Sequence, residues 1–398
     1  MSKTQKAPGG VRSKGLTDYL NDENVRAVIY QIVAISLVIL AGWYLVSNTL
    51  ANLERQNIST GYGFLDLEAS FGISESMINY TPESNYATAL MVGFLNTVKV
   101  AVLGIILCTI IGTIFGVARL SSNWIVRTLA AVYVETFRNI PVLLQLFFWY
   151  AIIPGAFPAG RNAWQPIPDV LLTNRGMYLP VPVADNAYSY MGIAAIIAFI
   201  VIYFIKKWAT KRLDATGQPF PIVWASLGIF FGLVLLAYLV GGAPTAMDIP
   251  SLQGFNIRGG YNISPEFMSV LIGLTIYTST YVAEVVRSGI QAVPNGQWEA
   301  AESLGLKRSI ALRKIILPQS MRVAIPPLTN QYLNLTKNSS LAVAVGYPDL
   351  VSVSNTTMNQ TGQAIEAISI YMAVYLGLSL ITSLFMNWFN KKMALVER

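Results

Sequence analysis

The sequence predicts an all-α polytopic membrane protein with about eight transmembrane helices. Of its 398 residues, 54% are hydrophobic and only 12% are charged, and the mean hydropathy is +0.51. Soluble chains carry roughly a quarter charged residues, so this composition is typical of a chain that spans a bilayer. The lysines and arginines lie mainly at the ends of apolar runs, so the net charge of +7 indicates a membrane protein and no nucleic-acid partner.

Residue types that are missing or rare exclude several kinds of chemistry. The chain has no histidine, which removes the commonest general base and metal ligand at neutral pH. Its single cysteine, Cys108, lies in an apolar run, so no disulfide framework is predicted. No Gly-Lys dipeptide occurs, and the phosphate-binding P-loop requires one. We therefore expect no catalytic residue, metal site or cofactor in this chain, and any ATP would bind to another subunit.

Eight segments are candidates for transmembrane helices, because a span needs about 20 mainly apolar residues. The fourth is short and the seventh is polar. In chain order the segments are Ala27–Leu50, Met91–Leu120, Thr128–Ile153, Tyr190–Ile205, Pro221–Val240, Pro265–Ile290, Met321–Tyr347 and Gln363–Phe389.

The distribution of basic residues predicts which side of the membrane each loop occupies. With the N-terminus inside, 20 lysines and arginines fall on the inner side and four on the outer side, as the positive-inside rule requires. We therefore expect a bacterial inner-membrane protein with cytoplasmic tails at residues 1–26 and 391–398. Residues 51–90 form a periplasmic loop, and residues 154–264 form an insertion with periplasmic loops and two of the spans. The basic stretch 297–318 is expected in the cytoplasm.

The stretch 297–318 is the most helix-prone polar segment of the chain. A helix begins near Glu299, where acids in the first turn suit the helix dipole, and Gly305 permits a positive φ and a sharp turn. A second short helix runs from Lys307 to Ile316, and Pro318 closes it. The small residues of this pair allow close approach of a partner. Docking on a cytoplasmic protein and contact with anionic lipid explain the pattern equally well.

Several motifs resemble a known family. The combination of Glu299-Ala300-Ala301, Gly305 and Ile315-Ile316-Leu317-Pro318 resembles the signature loop of permease subunits of binding-protein-dependent ABC importers. Further motifs resemble the polar amino acid branch of that family. They are Asn96-Thr97, Tyr133 to Pro141, Gln145 to Phe148, Tyr281 to Glu284, Arg287 to Ile290 and Lys337 to Leu341.

The resemblance implies an architecture, a function and partners. The fold would be a five-helix permease core at residues 91–153 and 265–390, with the helix at 27–50 and the insertion as additions. The 297–318 loop would be a coupling helix pair that docks on an ATP-hydrolysing subunit, which would bind the ATP and magnesium. The partners would be a second, different permease, two ATP-binding subunits and a periplasmic amino-acid-binding protein, in contact with membrane lipid. The coupling residues would be Glu299, Ala300, Ala301, Gly305, Ile315, Leu317 and Pro318.

Ionisable residues inside the predicted spans suggest a substrate path. Such residues are costly in a bilayer and usually face the bundle interior. They could recognise the two charges of an amino acid, or each Glu-x-x-Arg pair could neutralise itself, since its members share a helix face. The candidate path residues are Glu135, Arg138, Glu284, Asn330, Asn334, Lys337 and Asn338.

Two other functions compete with an ATP-driven importer of L-amino acids. An ion-coupled secondary transporter would also use charges at mid-membrane, but it has no need of the 297–318 helix pair. A structural membrane subunit would not need the many polar residues of the seventh span.

Overall fold

The computed structural model describes residues 23–55, 60–254 and 256–393, and the architecture of this part is helical, with short strands in one region. The ends of the predicted tails, residues 1–22 and 394–398, lie outside the described residues. The helices are α1 (Glu23–Arg55), α2 (Tyr86–Ala118), α3 (Trp124–Asn139), α4 (Val142–Ala156), α5 (Asn186–Thr216), α6 (Ile222–Val240), α7 (Pro265–Gln291), α8 (Asn295–Ser303), α9 (Arg308–Ala311), α10 (Leu317–Asn338), α11 (Leu350–Thr361) and α12 (Ala364–Met393).

Six of the described helices, α1, α2, α5, α6, α7 and α12, are long and apolar enough to cross a membrane. The bent pair α3–α4 makes seven if it counts as one span. This confirms the predicted polytopic helical class, and the count is lower than the eight spans predicted from the sequence. The seventh predicted span is a helix over Leu317–Asn338, but its polar residues keep it out of the apolar set.

The packing of α2 against α7 forms the centre of the core. Gly112 and Gly116 lie on the face of α2 that meets α7. A Cβ at Gly112 would lie 2.6 Å from the Cβ of Val282, and a Cβ at Gly116 would lie 2.6 Å from the carbonyl oxygen of Ala283. Because only glycine fits there, these positions set the separation of the two helices.

The predicted span Thr128–Ile153 is sharply bent. It is two helices, α3 and α4, that meet at an angle of 103°. Pro141 has no backbone N–H and disfavours a helical residue before it, and Ile140 is extended, with ψ 127°. The buried amide of Gln145 donates to the carbonyl oxygens of Phe137 at 2.8 Å and Ile140 at 3.0 Å. This side chain therefore satisfies carbonyl groups that the break leaves without helical partners.

The insertion contains strands, which the sequence interpretation treated as loops without a domain of their own. Four antiparallel strands pair in the order β1-β2-β3-β8, and two further pairs, β4–β5 and β6–β7, complete the region. The strands are β1 (Trp164–Ile167), β2 (Val170–Thr173), β3 (Gly176–Leu179), β4 (Val181–Pro182), β5 (Met247–Asp248), β6 (Ser251–Gln253), β7 (Asn256–Arg258) and β8 (Tyr261–Ile263). The pairing of β3 with β8 brings the two ends of the insertion together across the α5–α6 hairpin.

Helices α1, α5 and α6 lie at the periphery. Their apolar side chains are mostly exposed, with Trp43 at 70% and Trp224 at 77%. Helix α5 packs mainly on α6, and the two form a hairpin. This arrangement is consistent with the prediction that these three helices are additions to a permease core.

Candidate coupling and translocation sites

Helix α8 and the turn after it form the first half of the predicted coupling pair. The helix ends at Ser303, and Gly305 has a left-handed φ of +69°. The Leu306 N–H donates to the carbonyl oxygen of Ala301 at 3.1 Å, and the Gly305 N–H donates to that of Glu302 at 2.8 Å. These two bonds make a Schellman motif, which requires the left-handed residue. The predicted turn at Gly305 is therefore confirmed.

The predicted coupling residues divide between an outer surface and an inner support. Glu299, Ala300 and Gly305 are exposed, whereas Ala301 is 1% exposed and packs inward. Ile315, Leu317 and Pro318 are half-buried.

The sequence reasoning missed Leu304, which follows α8 and is 77% exposed. A large apolar side chain so exposed beside Ala300 suits contact with another protein. The sequence does contain a signal for it. Leu304 is a large apolar residue at the end of a short polar helix, just before Gly305, where no contact within the helix requires it.

The second half of the pair joins directly to a core helix. Helix α9 continues through a π-helical turn, Leu312–Ile316, into α10 without a break. Pro318 therefore lies inside this continuous helical segment, directly after the π-helical turn, and does not terminate a separate helix. The Gln319 amide donates to the Gln297 side-chain oxygen at 3.1 Å, which ties α8 to α10.

An open cleft separates the coupling pair from the core. Its volume is about 1110 Å³, and it lies between α8–α9 and the C-terminal ends of α2 and α7. Trp298 and Glu302 line it from the coupling side, and Val117 and Ile290 line it from the core. Space of this size leaves room for the coupling pair to move relative to the core.

A network of charges joins three core helices at the end of the core that faces the coupling pair. Arg119, which follows α2, donates to Glu284 of α7 at 2.6 Å and lies 3.4 Å from Glu135 of α3. Glu284 also accepts from Arg287, so two guanidinium groups share one carboxylate. The pairing of Glu284 with Arg287 was one of the open alternatives, and the structure contains it.

The other predicted pair, Glu135 with Arg138, does not form in the structure. Glu135 turns to Arg119. Within the described part of the chain Arg138 forms no ion pair, and its guanidinium lies 5.9 Å from the ring centroid of Tyr281. An exposed cation near an aromatic face, with no carboxylate within ion-pair distance, is available to an anionic ligand.

Helix α10 carries an exposed polar stripe. Asn330, Asn334 and Lys337 follow one another at spacings of four and three residues and are all exposed, and Asn338 beside them is half-buried. Within the described residues, the side chains of the first three make no hydrogen bond or ion pair. Amide and ammonium groups are costly against lipid hydrocarbon, so the stripe needs a wet cavity or another subunit beside it.

At the opposite end of the core, a largely buried ion pair anchors the 60–85 segment and the end of the insertion. Lys99 of α2 contacts the carboxylate of Glu75, which also accepts from the Ser264 hydroxyl at 2.6 Å. Lys99 donates to the Tyr261 hydroxyl at 2.6 Å and lies 4.0 Å from the Phe267 ring centroid. The ion pair joins the 60–85 segment, α2 and the end of the insertion. Eleven per cent of the Lys99 side chain and 4% of the Glu75 side chain are exposed.

Comparison with known proteins agrees with this geometry. Residues 104–395 match the family described as binding-protein-dependent transport system inner membrane component. The chain belongs to this family.

Full-length relatives extend the similarity to nearly the whole chain. The permease is 49% identical over 377 residues to the general L-amino acid transport system permease protein AapQ of Rhizobium johnstonii, with 95% of this chain and 94% of the relative covered. It is 44% identical to the putative amino-acid ABC transporter permease protein YhdX of Escherichia coli K12, with 97% and 98% covered. The match includes the insertion and the first helix, so these additions are shared with such relatives. The predicted resemblance to this family is confirmed.

Proposed function

We propose that this permease is a subunit of an ATP-driven importer for L-amino acids and forms half of its translocation path beside a second permease. The observation that carries the proposal is the exposed surface of α8, closed by the Schellman turn and placed on the side where basic residues concentrate. The names of AapQ and YhdX support amino acids as the substrate class.

The partners follow from what the chain lacks. Without a P-loop sequence it needs ATP-binding subunits, which would hold ATP and magnesium, and two of them would serve the two permeases. A periplasmic binding protein would deliver the amino acid to the outer side.

We assign the substrate path to the polar stripe of α10 together with Arg138. Asn330, Asn334 and Lys337 are exposed where lipid is unfavourable, so a path shared with the second permease satisfies them. Arg138 and Lys337 would attract the carboxylate of the amino acid, and amide oxygens would accept from its ammonium group. Glu284 and Glu135 already bind arginine, so we give them a role in holding α2, α3 and α7 together.

The coupling route is mechanical. Closure of the ATP-binding subunits would push on α8, and the motion would reach the path by two links. One is the continuous connection from α9 through Leu312–Ile316 to α10, and the other is the hydrogen bond between Gln297 and Gln319. The cleft above the coupling pair would change volume in that step.

Leu304→Glu tests the docking surface. The change places a charge on the exposed surface beside Ala300, and it buries no charge inside the permease because Leu304 is 77% exposed. We expect normal membrane insertion, loss of the ATP-binding subunit on affinity purification and loss of ATP-dependent amino acid uptake in proteoliposomes. Gln218→Glu, an exposed position in the α5–α6 turn, is the matched control and should retain both. Uptake by the chain alone without ATP would favour an ion-coupled transporter instead.

A further inference from the structure

Helix α5 is longer than its partner α6, and the excess lies at one end. Helix α6 has 19 residues, about 28 Å at 1.5 Å per residue, which matches a hydrocarbon core of about 30 Å. Helix α5 has 31 residues. At the outer end the two are level, because a Cβ placed at Gly241 would collide with the Cβ of Ala187. The C-terminal turns of α5 therefore extend beyond the hydrocarbon.

The contact between Trp208 and Phe220 fixes where the hydrocarbon ends on α5. Their ring centroids are 5.4 Å apart with the rings nearly perpendicular. Phe220 comes just before the first residue of α6, Ile222. Trp208 thus lies at the inner boundary, and Trp224 close by is 77% exposed. Tryptophan prefers this interfacial depth.

Four basic residues lie at and just beyond this boundary. They are Lys206, Lys207, Lys211 and Arg212. At about 100° per residue, Lys211 and Arg212 lie on the same side of the helix as Trp208, and Lys207 lies about a quarter-turn away. The Arg212 guanidinium is 5.5 Å from the Trp208 ring centroid. The only nearby acid, Asp214, forms no ion pair with them in the described part of the chain. The turns are thus cationic at headgroup depth.

We propose that this end of the α5–α6 hairpin is a binding site for an anionic phospholipid. The phosphate would contact Lys207, Lys211 and Arg212, and the acyl chains would lie against the exposed Trp208 and Trp224. Charge complementarity and depth favour lipid over an ATP-binding subunit. A docked protein would leave Trp208 and Trp224 in contact with hydrocarbon, and the coupling pair lies on other helices. The site goes beyond the transport function and is independent of α8.

The test measures lipid preference of the purified full-length chain. Native mass spectrometry compares binding of palmitoyl-oleoyl phosphatidylglycerol with phosphatidylcholine of the same acyl chains. One basic residue near an anionic surface changes affinity roughly fivefold. We expect a phosphatidylglycerol preference that falls by about tenfold or more in K207Q/K211Q/R212Q and persists in the charge-conserving K207R/K211R/R212K.

An unchanged preference in the neutralised variant would overturn the proposal, because the lipid would then bind elsewhere. The proposal is also rejected if that variant keeps its lipid preference and instead loses a bound protein. Removal of three inner charges could also prevent insertion. In that case K207Q and K211Q are measured singly, each with an expected fall of a fewfold, and no fall in either would reject the site.

Discussion

A substitution series at Gly305 tests how much the turn after α8 depends on glycine. Its φ of +69° is costly for a residue with a Cβ, by about 1–2 kcal/mol for alanine and more for a β-branched residue. Asparagine tolerates this conformation better. No atom lies within 4 Å of a Cβ placed there, so the cost is conformational and involves no clash.

We therefore expect coupling to the ATP-binding subunit to weaken in the order Gly, Asn, Ala, Val at position 305. A cost of 1–2 kcal/mol lowers the population of the docking conformation by roughly 5- to 30-fold. The assay is the amount of ATP-binding subunit retained on the purified permease and the ATP-dependent uptake in proteoliposomes. Gly296→Ala is the matched control, since Gly296 has an ordinary φ and open space around it. A Val variant that couples like the wild type, or an Asn variant that couples worse than Val, would refute the reasoning.

Three further predictions concern the core. Gly112→Ala should lower the apparent melting temperature in detergent, because the added Cβ would lie 2.6 Å from Val282 of α7 and overpacking costs about 1–3 kcal/mol. Gly228→Ala is the control: its Cβ would enter open space, so the melting temperature should stay unchanged or rise. Glu284→Gln should destabilise the folded permease by about 1–3 kcal/mol, because it leaves two arginines without their shared carboxylate. Glu135→Gln changes a side chain that is 58% exposed and should cost under about 0.5 kcal/mol in the same assay. Asp349→Asn should remove a pH dependence of the melting temperature between about pH 4 and pH 7.

The Asp349 prediction depends on burial outside the spans. Asp349 is 1% exposed, and burial raises its pKa to about 7 although its carboxylate accepts from the Ser352 N–H at 2.8 Å. A carboxyl with a raised pKa favours folding at low pH, and this contribution is lost as the pH rises through about 7. The linkage is on the order of 4 kcal/mol. Asparagine keeps the helix cap and does not titrate, so equal pH profiles for the two proteins would contradict the assignment.

The Gly112 and Glu284 predictions each have a result that would contradict them. Equal melting temperatures for the Gly112 and Gly228 variants would mean that the α2–α7 contact is not as close as the structure shows. Equal effects of the Glu284 and Glu135 variants would remove the special role of the shared carboxylate. Each comparison uses the same substitution at a position that differs only in its surroundings.

Local chemistry made part of the fold predictable. Pro141 marks the bend between α3 and α4, and Gly305 marks the left-handed turn, because each residue type has a known effect on the backbone. The size of the bend at Pro141 was not predictable, since it depends on Gln145, which satisfies the carbonyl groups there. The short strands of the insertion were missed because runs of two to four residues are too short for an alternating pattern to show.

Long-range pairing explains the rest of the differences. The spacing of Glu135 and Arg138 suggested a pair, yet Arg119 from another helix takes the Glu135 carboxylate. The partner of Lys99 is Glu75, 24 residues earlier in the chain, and no spacing rule indicates that pair. Sequence spacing predicts which residues share a helix face. It carries no information about which side chain of a neighbouring segment pairs with them in the folded protein.

The most direct test of the central claim is affinity purification of Leu304→Glu beside wild type and Gln218→Glu, with quantification of the associated ATP-binding subunit. We predict that wild type and Gln218→Glu retain that subunit and that Leu304→Glu loses it while inserting normally, because Leu304 lies exposed at the end of α8. Full retention by Leu304→Glu would contradict the assignment of α8 as the docking surface.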